Sequence, residues 1–140
     1  YLINITTPGL YFLTAEVENE GVIYEDTIAV LVFDKAVLDA LLKAKWNAMK
    51  NALINGDIEN ALTYYQESSK DKYQEIFNAL IDTIPSIASA MREIEMVYGN
   101  ERIIKYRIKK EETLNGQIYD ITYFIYFVKG FDGIWRIESF

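Results

Sequence analysis

The sequence predicts an α+β fold in which three to four helices pack on one face of a curved, four-stranded antiparallel sheet. Two changes of period support this prediction. Between residues 34 and 91, apolar residues recur at steps of three and four, which is typical of helices. From residue 93 onward they recur at steps of two, which is typical of strands. The turn dipeptides Gly99-Asn100, Asn115-Gly116 and Asp132-Gly133 divide that second region into four strands of a meander.

A β-hairpin is predicted ahead of the helices. Residues 23–32 are rich in β-branched side chains, residues 10–18 partly alternate, and Asn19-Glu20-Gly21 offers a turn between them. The first 33 residues also carry five acidic residues and no basic one. Because charge and periodicity both change at Asp34, we divide the chain into domains at residues 1–33 and 34–140.

Local signals mark where the helices begin. Asp34 and Asp57 are placed as N-caps of the first and second helices. Ser68, followed three residues later by Asp71, predicts a capping box at the third helix, and Pro85 fits the first turn of the fourth. The apolar residues expected to face inward from the first and third helices are Leu38, Leu41, Leu42, Trp46, Met49, Leu53, Tyr73, Ile76, Phe77 and Leu80.

Composition excludes several classes of function. The chain has no cysteine and no histidine, which removes thiolate nucleophiles, imidazole bases and the common zinc ligands. With 14 basic against 21 acidic residues, we expect no nucleic-acid partner. The longest apolar run, Ile28 to Phe33, is far too short for membrane insertion. We predict no cofactor. We also predict no metal site, because the acidic residues of the first domain lack calcium-loop spacing.

Three segments carry a family resemblance. They are the Trp46 helix with its Asn55-Gly56-Asp57 turn, the segment Ala61 to Tyr65, and the closing strand Gly133 to Ile137. On these, residues 35–140 resemble the nuclear transport factor 2-like superfamily, a cone of sheet closed by helices. The resemblance implies an interior cavity. It also implies a homodimer through the sheet face, which would cover the second apolar face of the strand spanning residues 117–128.

The first domain resembles a different module. Pro8-Gly9 followed by Tyr11, an acidic turn and the strand Asp26 to Val32 are similar to the last two strands of a bacterial immunoglobulin-like or polycystic-kidney-disease-type β-sandwich. In such modules the tyrosine packs at a corner of the sandwich. The resemblance implies docking to an upstream β-sandwich domain in an exported, multidomain bacterial protein, at the cell surface or outside the cell.

Enzymes of the cone superfamily use an aspartate, often with a tyrosine or histidine, inside the cavity. Asp120 is the only acid within the long aromatic strand, and is therefore the weak candidate for a general base with a raised pKa. Because it lies just past a turn, a solvated carboxylate is the simpler interpretation. The tyrosines available as phenol donors are Tyr64, Tyr65, Tyr106, Tyr119, Tyr123 and Tyr126.

The aromatic residues of the cone either fill it or line a pocket for a small hydrophobic ligand. We therefore predict a non-catalytic binding or interaction module at the C-terminus of an exported protein. The alternative is a small-molecule isomerase, cyclase or hydrolase that uses Asp120 with a tyrosine. The candidate pocket residues are Tyr64, Tyr65, Tyr106, Phe124, Tyr126 and Trp135.

A row of basic residues follows one strand. Period two places Lys105, Arg107 and Lys109 on one face, where they would meet a phosphate or an acidic partner. We favour a solvated face that is balanced across the sheet by acids such as Glu95.

Overall fold

Four helices and six strands make up residues 2–140, the part of the chain that the computed structural model describes. The strands form one two-stranded and one four-stranded antiparallel sheet, so the predicted α+β class is confirmed. The chain separates into two compact units, Tyr1–Leu38 and Asp39–Phe140. Among the described helices, none has the length and apolar character that crossing a membrane requires.

The first unit contains a hairpin of two 11-residue strands, β1 (Gly9–Asn19) and β2 (Val22–Val32). They pair antiparallel along their whole length. Glu20 and Gly21 form the two-residue loop, with φ angles of 51° and 76°. Positive φ at both positions is the geometry that matches the twist of a hairpin. The predicted turn is therefore confirmed.

Side-chain caps fix the helix starts. The helices are α1 (Lys35–Ile54), α2 (Ile58–Leu62), α3 (Glu67–Ala79) and α4 (Ile84–Ala90). Asp34 Oδ1 accepts a hydrogen bond from the backbone N–H of Ala36 at 2.8 Å. Asp57 Oδ1 accepts one from the N–H of Asn60 at 3.0 Å. Pro85 lies in the first turn of α4. All three predicted helix-start signals are confirmed.

The capping box predicted at Ser68 is wrong. Helix α3 already begins at Glu67, and Gln66 occupies the cap position without a side-chain hydrogen bond to the helix. The buried hydroxyl of Ser69 instead donates to the backbone carbonyl of Glu138 at 2.7 Å. This segment therefore connects helix α3 to strand β6 through Ser69, whereas the sequence pattern had indicated a local helix cap at Ser68.

The second sheet is a meander in sequence order. Its strands are β3 (Glu95–Gly99), β4 (Ile103–Leu114), β5 (Gln117–Lys129) and β6 (Trp135–Ser139). Asn115 and Gly116 close the β4–β5 hairpin as a two-residue loop, with φ angles of 53° and 79°. Because a two-residue loop fixes which residues lie opposite each other, it also fixes which residues of β4 and β5 share a face of the sheet.

The core of the second unit lies between the helices and this sheet. Its largest fully buried side chains include Trp46, Tyr65, Phe77, Tyr106 and Phe127. Leu41, Ile76 and Leu80 were expected to face inward, yet each remains at least 37% exposed. The buried face of α1 and of α3 is therefore narrower than the apolar face predicted from the spacing of their apolar residues.

The linker between α2 and α3 is tied to β6. Tyr65 and Ile137 form an isolated parallel bridge. The N–H of Gln66 donates to the carbonyl of Ile137, and the N–H of Ile137 donates to the carbonyl of Tyr64, both at 2.8 Å. This pairing holds the helical layer against the last strand.

Candidate functional site

A cavity of about 520 Å³ opens in the second unit. This volume lies within the roughly 300–1,000 Å³ that is usual for ligand sites. The apolar part of its wall consists of Trp46, Ile87, Met91, Ile108, Tyr123 and Phe140. All of the lining residues belong to the unit Asp39–Phe140.

The cavity lies next to the packed core, on the same face of strands β4 and β5. Ile108 of β4 lies directly opposite Tyr123 of β5, just as Tyr106 lies opposite Ile125. Side chains two residues apart on a strand share a face. Tyr106 and Ile125 are fully buried under the helices, whereas Tyr123 is 46% exposed. The same face of the sheet therefore passes from packed core to open cavity.

Phe140 forms one wall and is held in place by Tyr73. The Tyr73 hydroxyl accepts a hydrogen bond from the N–H of Phe140 at 2.8 Å and donates to its carbonyl at 3.0 Å. The two rings stack with centroids 5.4 Å apart. The Phe140 ring also meets Trp46 edge to face at 5.4 Å. This wall is thus preorganised by hydrogen bonds and ring contacts.

Trp46, one of the residues in the cavity wall, carries a buried polar atom without a partner. The residue is 1% exposed, and its indole Nε1–H has no hydrogen-bond partner among the described residues. Leaving a buried donor unpaired costs about 1–3 kcal/mol, and native structures contain few such groups.

The polar part of the wall is positively charged. Arg92, Lys109 and Lys110 line the cavity, and among the described residues no acidic side chain does. Lys110 forms an ion pair with Glu112, and this hydrogen bond raises the pKa of the Lys110 ammonium. Arg92 and Lys109 form no ion pair within the part of the chain that the structure describes. Strand alternation places Lys110 on the same face of β4 as Ile108 and places Lys109 on the opposite face. There its charge, after the hydrogen bond from Arg107, helps to lower the pKa of the Glu95 carboxyl.

The six pocket residues predicted from the sequence lie elsewhere. None of them is among the residues that line this cavity. Tyr65, Tyr106 and Trp135 are buried in the core. Phe124 is 42% exposed, and Tyr64 and Tyr126 are partly buried. Of the wider group of tyrosines considered as phenol donors, only Tyr123 lines the cavity.

Asp120 is exposed near the tip of the β4–β5 hairpin. It lies opposite Glu111 in the sheet and does not line the cavity. The catalytic hypothesis required a carboxylate enclosed by apolar walls beside a phenol. The structure does not bring Asp120 into such a site.

A polar cluster that the sequence did not reveal joins α1 to β4. The Tyr106 hydroxyl donates to Asp39 Oδ1 at 2.8 Å, and the Lys43 ammonium donates to Asp39 Oδ2 at 2.7 Å. Burial, and then the hydrogen bond to Asp39, raise the pKa of the Tyr106 phenol well above its usual value. A phenol held protonated in this way is a donor that joins helix to sheet.

The basic row on β4 is only partly a solvated face. Arg107 pairs with Glu95 across the sheet at 2.8 Å, as predicted. The ammonium of Lys105 lies over the ring of Phe124, 3.6 Å from its centroid. Lys109 is exposed, as predicted, and is also one of the residues that line the cavity.

Within residues 2–140, no group of three or more acidic side chains is arranged to hold a metal ion. No family model matches this chain, and no curated protein matches it either.

Proposed function

We propose that residues 39–140 form a non-catalytic binding module whose cavity holds a small molecule with an apolar body. The observation that carries this proposal is the cavity of about 520 Å³, whose wall is formed largely by apolar side chains such as those of Trp46, Tyr123 and Phe140. An apolar space of this size is what a site for a small apolar molecule requires.

The rigidity of the wall supports the same proposal. Tyr73 fixes Phe140 through two hydrogen bonds, and Trp46 lies within a 20-residue helix. A preformed site loses little conformational entropy when its ligand binds. The exposed position of Asp120 and the absence of histidine and cysteine favour binding over catalysis.

The fold proposed for this module is the nuclear transport factor 2-like cone. Four helices followed by a four-stranded antiparallel meander, with a cavity lined by residues from both, support it. In such a cone the outer face of β5, which carries Phe124, would pair with a second copy. We therefore include a homodimer formed through this face in the proposal.

Tyr123→Ala is expected to weaken binding of N-phenyl-1-naphthylamine, a neutral apolar fluorescent dye, by about tenfold. A tenfold change corresponds to about 1.4 kcal/mol, which is in line with the loss of one partly buried aromatic contact. Phe124→Ala is the matched control, because it removes the neighbouring ring on the opposite face of the same strand. We expect it to change dye affinity by less than about twofold.

Fluorescence titration of the three proteins measures these affinities. An absence of dye binding to the native chain, or equal losses in the two variants, would count against the proposed site.

A second candidate function belongs to the first unit. We propose that residues 9–32 are two strands of an immunoglobulin-like β-sandwich that joins the binding module to an exported protein. The hydroxyl of Tyr11 donates to the carbonyl of Thr7, four residues earlier, at 2.8 Å. In a tyrosine corner, the tyrosine hydroxyl likewise hydrogen-bonds to the backbone a few residues upstream. It supports the resemblance that Tyr11 carries.

Exposed apolar side chains on both faces of the hairpin support the same proposal. Phe12 and Ile23 are each 67% exposed on one face. Val17 and Tyr24 lie opposite each other on the other face and are also exposed. A two-stranded sheet with no covered face is at best marginally stable.

We therefore expect the amides of β1 and β2 to exchange with solvent deuterium through openings that cost no more than about 2 kcal/mol. The paired amides of β4 and β5 near Ile104 and Ile125, which are both fully buried, are expected to exchange far more slowly. Mass spectrometry of the exchanging chain compares the two regions. Equal protection would mean that the hairpin needs no further strands.

A further inference from the structure

We infer that the ligand of the cavity is an elongated molecule with a single apolar chain, which runs out of the cavity along the inner face of β4 and β5. The inner face is the one that carries Ile108 and Tyr123, and both of these residues line the cavity. This inference rests on the proposed function and adds the shape of the ligand to it.

Strands β4 and β5 extend well beyond the rest of their sheet. In the part of the chain that the structure describes, β3 pairs with β4 only at residues 104–107, and β6 pairs with β5 only at residues 126–129. The register between β4 and β5 nevertheless continues without a break as far as Leu114 and Gln117. Residues 108–123 therefore form a two-stranded arm, and the cavity lies at its base.

The inner face of this arm continues the wall of the cavity. Side chains two residues apart on a strand share a face, so Ile121 and Tyr119 follow Tyr123 on the inner face of β5. Tyr119 and Tyr123 are each 46% exposed, and Ile121 is partly buried. These side chains, here called the apolar strip, extend over about 14 Å at the usual rise of a strand. A compact ligand in the cavity would leave the outer part of the strip in water.

The polar side chains on the same face are already paired with each other. On β4, the Lys110 ammonium donates to the Glu112 carboxylate. On β5, the Tyr119 hydroxyl donates to Gln117 Oε1 at 2.9 Å. Because these polar groups are matched within the arm, the surface that remains for a ligand consists of the tyrosine rings and the Ile121 side chain. An apolar chain makes favourable contacts with such a surface and leaves the existing pairs intact.

The dimensions of the strip favour a single chain over a protein partner. Neighbouring strands lie about 4.8 Å apart, so a strip that follows one strand is about as wide as one hydrocarbon chain. A stable protein interface buries roughly 800 Å² on each partner, which is more than the side chains of the strip supply. A single-chain lipid, with its chain end in the cavity and its head group near Tyr119, matches these dimensions.

The test measures how well dodecyl maltoside, an uncharged single-chain amphiphile, displaces N-phenyl-1-naphthylamine below its micelle concentration. Displacement counts only the molecules that enter the cavity. In Tyr119→Thr, dodecyl maltoside is expected to bind about fivefold more weakly than in the native chain, because one ring contact is lost. The affinity of the compact dye itself should change by less than about twofold.

Ile118→Thr is the matched control, because it changes the neighbouring residue on the outer face of the same strand, where Ile118 is 71% exposed. Threonine is well tolerated in strands, so both variants keep the propensity of β5. Ile118→Thr is expected to leave the affinities of both probes within about twofold of the native values. Because both positions are exposed, both variants should unfold at the same urea concentration as the native chain.

The outcomes separate the two proposals. A loss of dodecyl maltoside affinity in Tyr119→Thr alone, with dye binding kept, supports the inference. No loss in Tyr119→Thr, or an equal loss in Ile118→Thr, overturns the inference and leaves the proposed cavity site intact, since the dye still binds. A dimer in sedimentation velocity that Tyr119→Thr dissociates would assign the strip to a second copy and would also overturn the inference. Failure of the dye to bind the native chain overturns both proposals.

Discussion

Trp46→Ala is expected to lower the free energy of unfolding of the second unit by about 3–5 kcal/mol. The side chain is 1% exposed, packs edge to face on Phe140 and separates the core from the cavity. Its removal would leave a space that the rigid sheet cannot close. Urea denaturation followed by far-ultraviolet circular dichroism measures the loss without depending on tryptophan fluorescence.

Two further variants in α1 give this experiment its control. Trp46→Phe keeps most of the aromatic body and removes the unpaired N–H, so we expect a loss of no more than about 2 kcal/mol. Leu41→Ala, at a position that is 47% exposed, should cost less than about 1 kcal/mol. A loss in Trp46→Phe as large as in Trp46→Ala would show that the indole N–H already has a stabilising partner.

Stability is expected to fall steeply above about pH 10, the ordinary pKa of a tyrosine phenol. Burial raises the pKa of Tyr65, and burial together with the hydrogen bond to Asp39 raises that of Tyr106. The folded protein therefore keeps protons that the unfolded chain releases. This contribution is present in full below pH 10 and decreases as pH rises, by up to about 1.4 kcal/mol per pH unit for each phenol.

Tyr106→Phe separates this effect from general alkaline denaturation. The variant should lose about 1–3 kcal/mol at pH 8, because Asp39 loses a donor. Between pH 10 and 11 its stability should then fall less steeply than that of the native chain. Tyr119→Phe, at an exposed position of β5, is the control and should follow the native curve. Identical slopes for the native chain and Tyr106→Phe would refute the role given to this phenol.

The sequence was informative where local chemistry decides structure. Asn115-Gly116 predicts a two-residue loop, and such a loop fixes the register of the strands on either side. That register places Ile108 opposite Tyr123, as the structure has it. The Asp34 cap is equally local, since it depends only on the N–H groups of the next turn. The helices and the meander were therefore predictable in order and type.

The site was not predictable to the same extent. Strand β5 is aromatic on both faces, so its sequence does not say which face the helices cover, and the predicted pocket included Phe124 from the outer face. The cavity arises where α4 and the sheet separate, and this depends on tertiary packing. Trp46 is in the core and Lys109 is exposed, as the sequence predicted, and both residues also lie among those that line the cavity. The sequence therefore did not distinguish the residues of the cavity wall from the rest of the core and surface.

The most direct test is a crystal structure of the chain with N-phenyl-1-naphthylamine bound. We expect the dye to lie in the cavity, with its rings against Trp46, Tyr123 and Phe140. Dye bound on the outer face of β5 beside Phe124, with the cavity left empty, would contradict the proposed site.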